Sequence, residues 1–133
     1  MATGAERLAI TDHEGVLAAV AITPDGKTLI SSSGKVKKSG KVKLWDAATG
    51  KLRVSLEGHT AFVTCLAVSP DGQTLASGST DATIRLWDPV AGQGRGVLRG
   101  QDGPVRALAF AADGKVLAGL GVAIKLWDGS RGR

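Results

Sequence analysis

Hydrophobic and polar residues alternate along this chain over short stretches that are separated by turn signals. In the middle of the chain, residues 63–69, 74–79 and 84–88 follow the period of two that is typical of β-strands. Residues 52–56, which come before these three segments, show the same alternation. We therefore predict short strands joined by tight reversals, which is the pattern of an all-β fold.

Two features recur at a spacing of about 40 residues, which is the period of a repeat protein. One is a pentad that ends in Trp-Asp, and the other is an Asp-Gly turn that precedes each pentad. The pentads occupy residues 42–46, 84–88 and 124–128, and the turns occupy residues 24–26, 70–72 and 112–114. Units of this kind cannot bury their apolar faces alone, so we expect them to stack.

The middle unit carries the fullest set of motif residues. They are Gly58, His59, residues 70–72, Ser77, Asp81, Trp87 and Asp88. At these offsets the chain resembles the WD40 repeat family. The resemblance implies an all-β fold of β-propeller blades, with three four-stranded blades at about residues 12–56, 57–98 and 99–128.

The same resemblance implies a structural role for the polar residues of the middle unit. In WD40 repeats a His, a Ser or Thr, an Asp and a Trp form a hydrogen-bond chain, and the matching residues are His59, Ser77, Asp81 and Trp87. A Trp donor and a carboxylate acceptor can both be satisfied through a hydroxyl and an imidazole. The first three residues also have the composition of a catalytic triad, but we favour the structural interpretation.

The two outer units depart from this set. The first keeps a His, a Ser and the Trp but has no Asp before its pentad, and the third keeps only the Trp. These positions are His13, Ser31 and Trp45 in the first unit and Gln101, Gly119 and Trp127 in the third. We expect a complete network in the middle unit only.

The net charge of +5 is concentrated in one segment, because five lysines lie between residues 35 and 43. Between its second and third strands the first unit is four residues longer than the second, and the insertion, residues 33–41, is basic and contains two glycines. Loops on a rigid scaffold are common recognition sites. The candidate partner-binding residues are Lys35, Lys37, Lys38 and Lys41.

Three interpretations of function remain open. The preferred one, which the resemblance implies, is a non-catalytic scaffold module that presents rim loops to a peptide or protein partner. The alternative is binding of a polyanion or nucleic acid through the 33–41 loop. That loop has no aromatic side chain for base stacking and no arginine, so nucleic acid is the less favoured partner. The third, an enzyme or a fragment of one, is the least favoured. For the loop itself, a solvated hairpin whose lysines only aid solubility is favoured over specific nucleic-acid binding.

Other kinds of chemistry find little support. Two histidines and one cysteine do not suggest a zinc site, and the acids mostly repeat at equivalent positions instead of pairing at one site. We expect no enzyme, no metal and no cofactor. The longest apolar run, residues 15–22, is too short to cross a bilayer, and residues 1–14 lack a cleavable signal pattern, so we expect a cytoplasmic protein without a membrane partner.

The two ends of the repeat array predict self-association. Residues 7–11 align with the fourth strands of the other units, and the third unit lacks a fourth strand. We expect this outer closing strand to pair with the last strand of a neighbouring chain. The contacts would involve Arg7, Leu8, Ile10, Ile124 and Leu126. Propellers close with about four to eight blades, so a six-bladed homodimer is the preferred assembly, a nine-bladed trimer the second, and a piece of a larger propeller the third.

Overall fold

A computed structural model describes residues 16–34, 40–99, 103–121 and 124–128. Within these ranges the chain forms eleven β-strands, arranged in three antiparallel sheets that follow one another along the sequence. The all-β prediction is therefore confirmed. Each sheet is built from strands that are adjacent in the chain, as the repeat pattern requires.

The first two sheets have four strands each, in sequence order. The first contains β1 (Val16–Ile22), β2 (Thr28–Gly34), β3 (Lys41–Asp46) and β4 (Leu52–Leu56). The second contains β5 (Val63–Val68), β6 (Leu75–Ser79), β7 (Ile84–Asp88) and β8 (Gln93–Leu98).

The third sheet has three strands among the described residues, so it departs from the four-stranded pattern of the other two. It contains β9 (Ala107–Phe110), β10 (Val116–Leu120) and β11 (Ile124–Asp128), in the order β11-β10-β9. The outer edge of β11 has no neighbouring strand in this part of the chain. The predicted closing strand, residues 7–11, lies outside the described residues.

The three Asp-Gly turns join the first two strands of each sheet into a hairpin. In each turn the Asp Oδ1 accepts the backbone N–H two residues later at 2.9 Å, and the Gly adopts a positive φ of 73° or 74° that favours glycine. Hydrogen bonds from the Thr23 and Ser69 hydroxyl groups lower the pKa of Asp25 and Asp71 respectively. These local bonds fix where each first strand reverses.

The hydrophobic core lies between the sheets rather than within one of them. One cluster joins the first sheet to the second, and its buried members are Ile30, Val42, Leu44, Leu56, Val63, Leu75 and Trp87. The other joins the second sheet to the third, and its buried members are Cys65, Ala76, Ile84, Leu86, Leu98, Val105 and Leu117. Each sheet is therefore stabilised mainly by the sheet stacked against it.

The basic insertion is shorter as a loop than the sequence predicts. Ser33 pairs with Lys41 in the ladder between β2 and β3, so both ends of the 33–41 segment are strand. Gly40 is buried, and a Cβ on it would overlap Ala61 O and come within 2.7 Å of the Val63 nitrogen. The hairpin of the first sheet is thereby packed against the start of the second.

Candidate functional site

The structure brings the four polar residues of the middle unit together at one end of the second sheet. His59 lies in the loop before β5, Ser77 lies in the middle of β6, Asp81 lies in the turn between β6 and β7, and Trp87 lies near the end of β7. These positions are up to 28 residues apart in sequence. Strand β6 pairs with β7, and the loop before β5 folds back towards these two strands. The four side chains are therefore in contact.

Their hydrogen bonds form a continuous chain. Trp87 Nε1 donates to Ser77 Oγ at 2.8 Å, Ser77 Oγ lies 2.7 Å from His59 Nε2, and His59 Nδ1 lies 3.0 Å from Asp81 Oδ2. An indole can only donate and a carboxylate can only accept. The imidazole proton is therefore assigned to Nδ1, facing Asp81, and the Ser77 hydroxyl donates to Nε2.

Asp81 holds the acceptor end of this chain with several donors at once. Its carboxylate accepts the backbone N–H groups of Thr60 at 3.0 Å and Thr83 at 2.9 Å, together with the Thr83 hydroxyl. Burial alone would raise the pKa of Asp81, but these hydrogen bonds and that from His59 outweigh it and lower the pKa to about 2. Asp81 is ionised at neutral pH.

Burial has the opposite consequence for the imidazole. It lowers the pKa of His59 below 6.5, and although Asp81 favours the protonated form, the positive charge of Arg85 adds to the lowering. His59 is therefore neutral at pH 7, which matches the tautomer that the hydrogen bonds require.

This geometry does not suit nucleophilic catalysis. The Ser77 residue is 0% exposed and His59 is 2% exposed. The bonds from Ser77 to His59 and from His59 to Asp81 follow the order of a catalytic triad, but Ser77 Oγ also accepts the Trp87 Nε1–H, which holds the hydroxyl within the sheet. A substrate has no path to this enclosed hydroxyl in the described structure, so burial rather than bonding separates the arrangement from a catalytic triad.

Gly58 precedes His59 at a position where only a glycine fits without strain. Its φ of 153° lies in a region that disfavours side chains, and a Cβ there would lie 2.8 Å from Arg85 Nη1. Arg85 Nε is buried and has no hydrogen-bond partner among the described residues. The guanidinium thus packs closely over the loop that positions His59.

The outer sheets repeat this arrangement only in part. Trp45 Nε1 donates to Ser31 Oγ at 2.8 Å, the same distance as in the second sheet. Trp127 Nε1 is buried without a partner among the described residues, and Gly119 stands at the position equivalent to Ser77. His13 and Gln101 lie outside the described ranges.

The sequence interpretation missed Thr60 and Thr83, which bind the Asp81 carboxylate. Thr83 follows Asp81 by two residues, a spacing at which an Asp side chain commonly accepts the backbone N–H of its own turn. That signal is present in the sequence. Thr60 had no such signal, because its contact with Asp81 spans 21 residues.

The candidate partner-binding and oligomer residues are only partly within the described ranges. Lys35, Lys37 and Lys38 lie outside them, as do Arg7, Leu8 and Ile10. Lys41 is a half-buried residue at the start of β3, and Ile124 and Leu126 are exposed on β11. The contacts predicted for all nine of these residues remain predictions.

No three His, Cys, Asp or Glu side chains in the described ranges lie in an arrangement that could hold a metal ion. The same ranges contain no helix with the length and apolar character needed to cross a membrane.

Comparison with known protein families decides the affiliation of the chain. The family described as "WD domain, G-beta repeat" matches residues 5–46 and 50–88, which together make up more than half of the sequence. The chain belongs to the WD40 family. The third unit falls outside the matched segments, in agreement with its loss of the Ser and Asp.

Solved WD40 structures have the same fold. The chain is similar to the crystal structure of the RRP9 WD40 repeats, with 25% identity and a TM-score of 0.82 over 90% of this chain and 37% of that one. It is equally similar in fold to the structure of U3-55K, with 24% identity and a TM-score of 0.82 over 90% of this chain and 38% of that one. The chain thus spans well under half the length of either. A search of curated proteins gave no significant match.

Proposed function

We propose that this WD40 chain is a non-catalytic interaction module that presents its loop rim to a protein or peptide partner. The observation that carries the proposal is the burial of Ser77 and His59. These side chains have the composition of a catalytic site, but in the described structure they are enclosed and stabilise the second sheet through their hydrogen bonds. WD40 domains generally serve as protein-interaction scaffolds. The surface that remains for function is therefore the surface of the loops.

The loop rim is the end of the stack that carries the β2–β3, β4–β5, β6–β7 and β8–β9 connections. Its exposed residues include Thr60, Thr80 and Arg106. Gly40 packs against residues 61–63, and Thr80 N donates to Phe62 O at 3.0 Å. These contacts hold loops of two neighbouring sheets together, which gives a partner a rigid composite surface.

A matched pair of charge reversals tests the rim proposal. Peptides selected from a random displayed library against the intact protein should bind the Lys115→Glu variant normally and lose affinity for Arg106→Glu. Both residues are exposed cations. Arg106 comes directly before β9 on the loop rim, whereas Lys115 comes directly before β10, in the Asp-Gly turn at the end of the sheet opposite the rim. Equal binding to both variants, or failure to select any peptide, would contradict the proposal.

The polyanion alternative makes a different prediction for the same protein. It requires Lys35, Lys37, Lys38 and Lys41 to neutralise phosphates, so affinity for heparin or single-stranded DNA would fall steeply with salt. Under our proposal, replacing these four lysines by serine leaves binding of the selected peptides unchanged. A steep salt dependence that disappears in the four-lysine variant would favour the polyanion function instead.

We also propose that the chain works within a closed ring completed by oligomerisation. Closed propellers contain about four to eight blades, so three sheets alone do not suffice. A six-bladed homodimer fits this range, whereas a nine-bladed trimer, the second choice, lies just outside it.

A further inference from the structure

The pentad residues of the third sheet are far more exposed than their equivalents in the first two sheets. Val42 and Leu44 are both 0% exposed, and Ile84 and Leu86 are 0% and 1% exposed, because the next sheet covers them. At the same two pentad positions of β11, Ile124 is 72% exposed and Leu126 is 69% exposed. The third sheet therefore has the side chains of an inter-sheet face, and no sheet among the described residues covers it.

This trailing face, which we define as Val116, Ala118, Leu120, Ile124 and Leu126, consists of apolar residues. The register of β10 with β11 places Ala118 opposite Leu126 and Leu120 opposite Ile124, so these side chains share one side of the sheet. Val116 and Leu120 are also more than a third exposed. A contiguous apolar patch of this kind marks an interaction surface.

The first sheet carries the complementary half of the same interface. We define its leading face as Val20, Ile22 and Leu29, of which Val20 is 69% exposed and Ile22 is 56% exposed. The equivalent residues of the second sheet, Leu66, Val68 and Leu75, pack against the trailing side of the first. The equivalents in the third sheet, Leu108, Phe110 and Leu117, pack against the second in the same way.

The described part of the chain thus contains two completed copies of this interface and, at its two ends, one half each of a third. We propose that the trailing face of one chain is covered by the leading face of a second copy of this chain, so that two chains close a six-bladed ring head to tail. The proposal rests on the closed ring proposed above and names the two faces that meet in it. A second copy supplies a leading face with the same alternation, including Lys43, which lies in register with Ser31 as Arg85 does with Ser77 in the covered interface. Such an interface joins different surfaces of the two copies. In a two-fold symmetric dimer it forms twice, so that both faces of both chains are covered.

Light scattering on the intact protein tests the proposal. We expect a mass of about 27 kDa at micromolar concentration, twice the 13.5 kDa of one chain. Val20→Asp and Ile124→Asp should each weaken the association about a hundredfold or more, because each buries an unpaired charge. Val90→Asp is the matched control, since Val90 is 70% exposed in the turn between β7 and β8, away from both faces. It should leave the mass unchanged.

Mixing the two face variants distinguishes head-to-tail pairing from other contacts. The Val20→Asp chain retains its trailing face and the Ile124→Asp chain retains its leading face, so a mixture regains one intact interface and a mass near 27 kDa. If either aspartate variant is unfolded by circular dichroism, the serine variants at the same positions replace them.

Several results would overturn the proposal. They are a folded monomer of the intact chain, an assembly of three or more chains, a Val20→Asp variant that still dimerises, and a mixture that stays monomeric. Failure of assembly with peptide binding intact would overturn this proposal and leave the rim proposal standing. A dimer that selects no peptide would do the reverse.

Discussion

At the scale of residues, the direction of the hydrogen-bond chain in the second sheet follows from what each group can do. Trp87 offers only a donor and Asp81 only acceptors, so Ser77 and His59 must each accept one bond and donate one. Each of the two connecting side chains is used at both ends. Removing a member leaves a partner unpaired in a site that is closed to water, which costs more than the bond itself contributes.

His59→Ala and Asp81→Ala should each lower the free energy of unfolding by about 1–3 kcal/mol, because each leaves a buried polar group without its partner. Urea denaturation followed by tryptophan fluorescence measures the change. His13→Ala is the control, since the first unit has no Asp before its pentad, and it should cost less. Equal losses at His13 and His59 would show that the complete network is not confined to the second sheet.

The same network predicts a loss of stability in acid. The pKa of His59 is lowered in the folded protein, so its contribution is complete above pH 6.5 and declines as the pH falls through and below that value. Asp81 has a folded pKa of about 2 against an ordinary 3.8, so its contribution is lost between about pH 4 and 2. Unfolding midpoints measured from pH 8 to pH 3 should show the first decline in the parent protein and a flatter profile over pH 6.5–5 in His59→Gln. A parent profile that stays flat to pH 5 would contradict the assignment of a neutral buried imidazole.

At the scale of elements, the strands and their turns could be predicted from sequence because the determining interactions are local. The Asp-Gly turns depend on a carboxylate that reaches two residues along the chain and on a glycine with positive φ. Strand β4 coincides with the alternating segment 52–56, and β7 with the pentad 84–88. The repeat period predicted stacked units, and the resemblance of the motif residues to WD40 repeats implied the fold.

Other features depend on contacts between sheets, which leave no local signal. The strand pairing of Ser33 with Lys41 follows from the packing of Gly40 on the next sheet, and no pattern within residues 33–41 indicates it. The bond from Thr60 to Asp81 also crosses between separate segments. Sequence therefore indicated which residues belong to the site, but not all of the donors that hold its carboxylate.

The third sheet offers a direct test of the Ser–Trp bond as a unit of sheet stability. Gly119→Ser should place a hydroxyl opposite Lys125, the position that Ser77 takes opposite Arg85, and should give the buried Trp127 Nε1 an acceptor. We expect the free energy of unfolding to rise by about 1 kcal/mol relative to Gly119→Ala. The alanine variant is the matched control, because it includes the entropy effect of replacing glycine without adding the acceptor. Identical stability of the two variants would mean that the added hydroxyl does not reach Trp127.

At the scale of the whole molecule, three sheets are stacked through two apolar clusters, and each end of the stack shows an apolar face. The solved RRP9 and U3-55K chains are more than twice as long as the part that this chain matches, since the match covers 37% and 38% of them. The faces at the two ends are the halves of the interface that already joins the sheets inside the chain. The central claim is therefore that these two faces meet between copies.

Backbone hydrogen exchange, measured by mass spectrometry over a dilution series that spans dissociation of the assembly, tests this claim most directly. Segments containing β1 and β11 should gain protection together as the concentration rises, while β6 and β7, which are enclosed within each chain, should stay unchanged. Protection of β1 and β11 that does not depend on concentration, or a gain at one of them without the other, would contradict the head-to-tail ring.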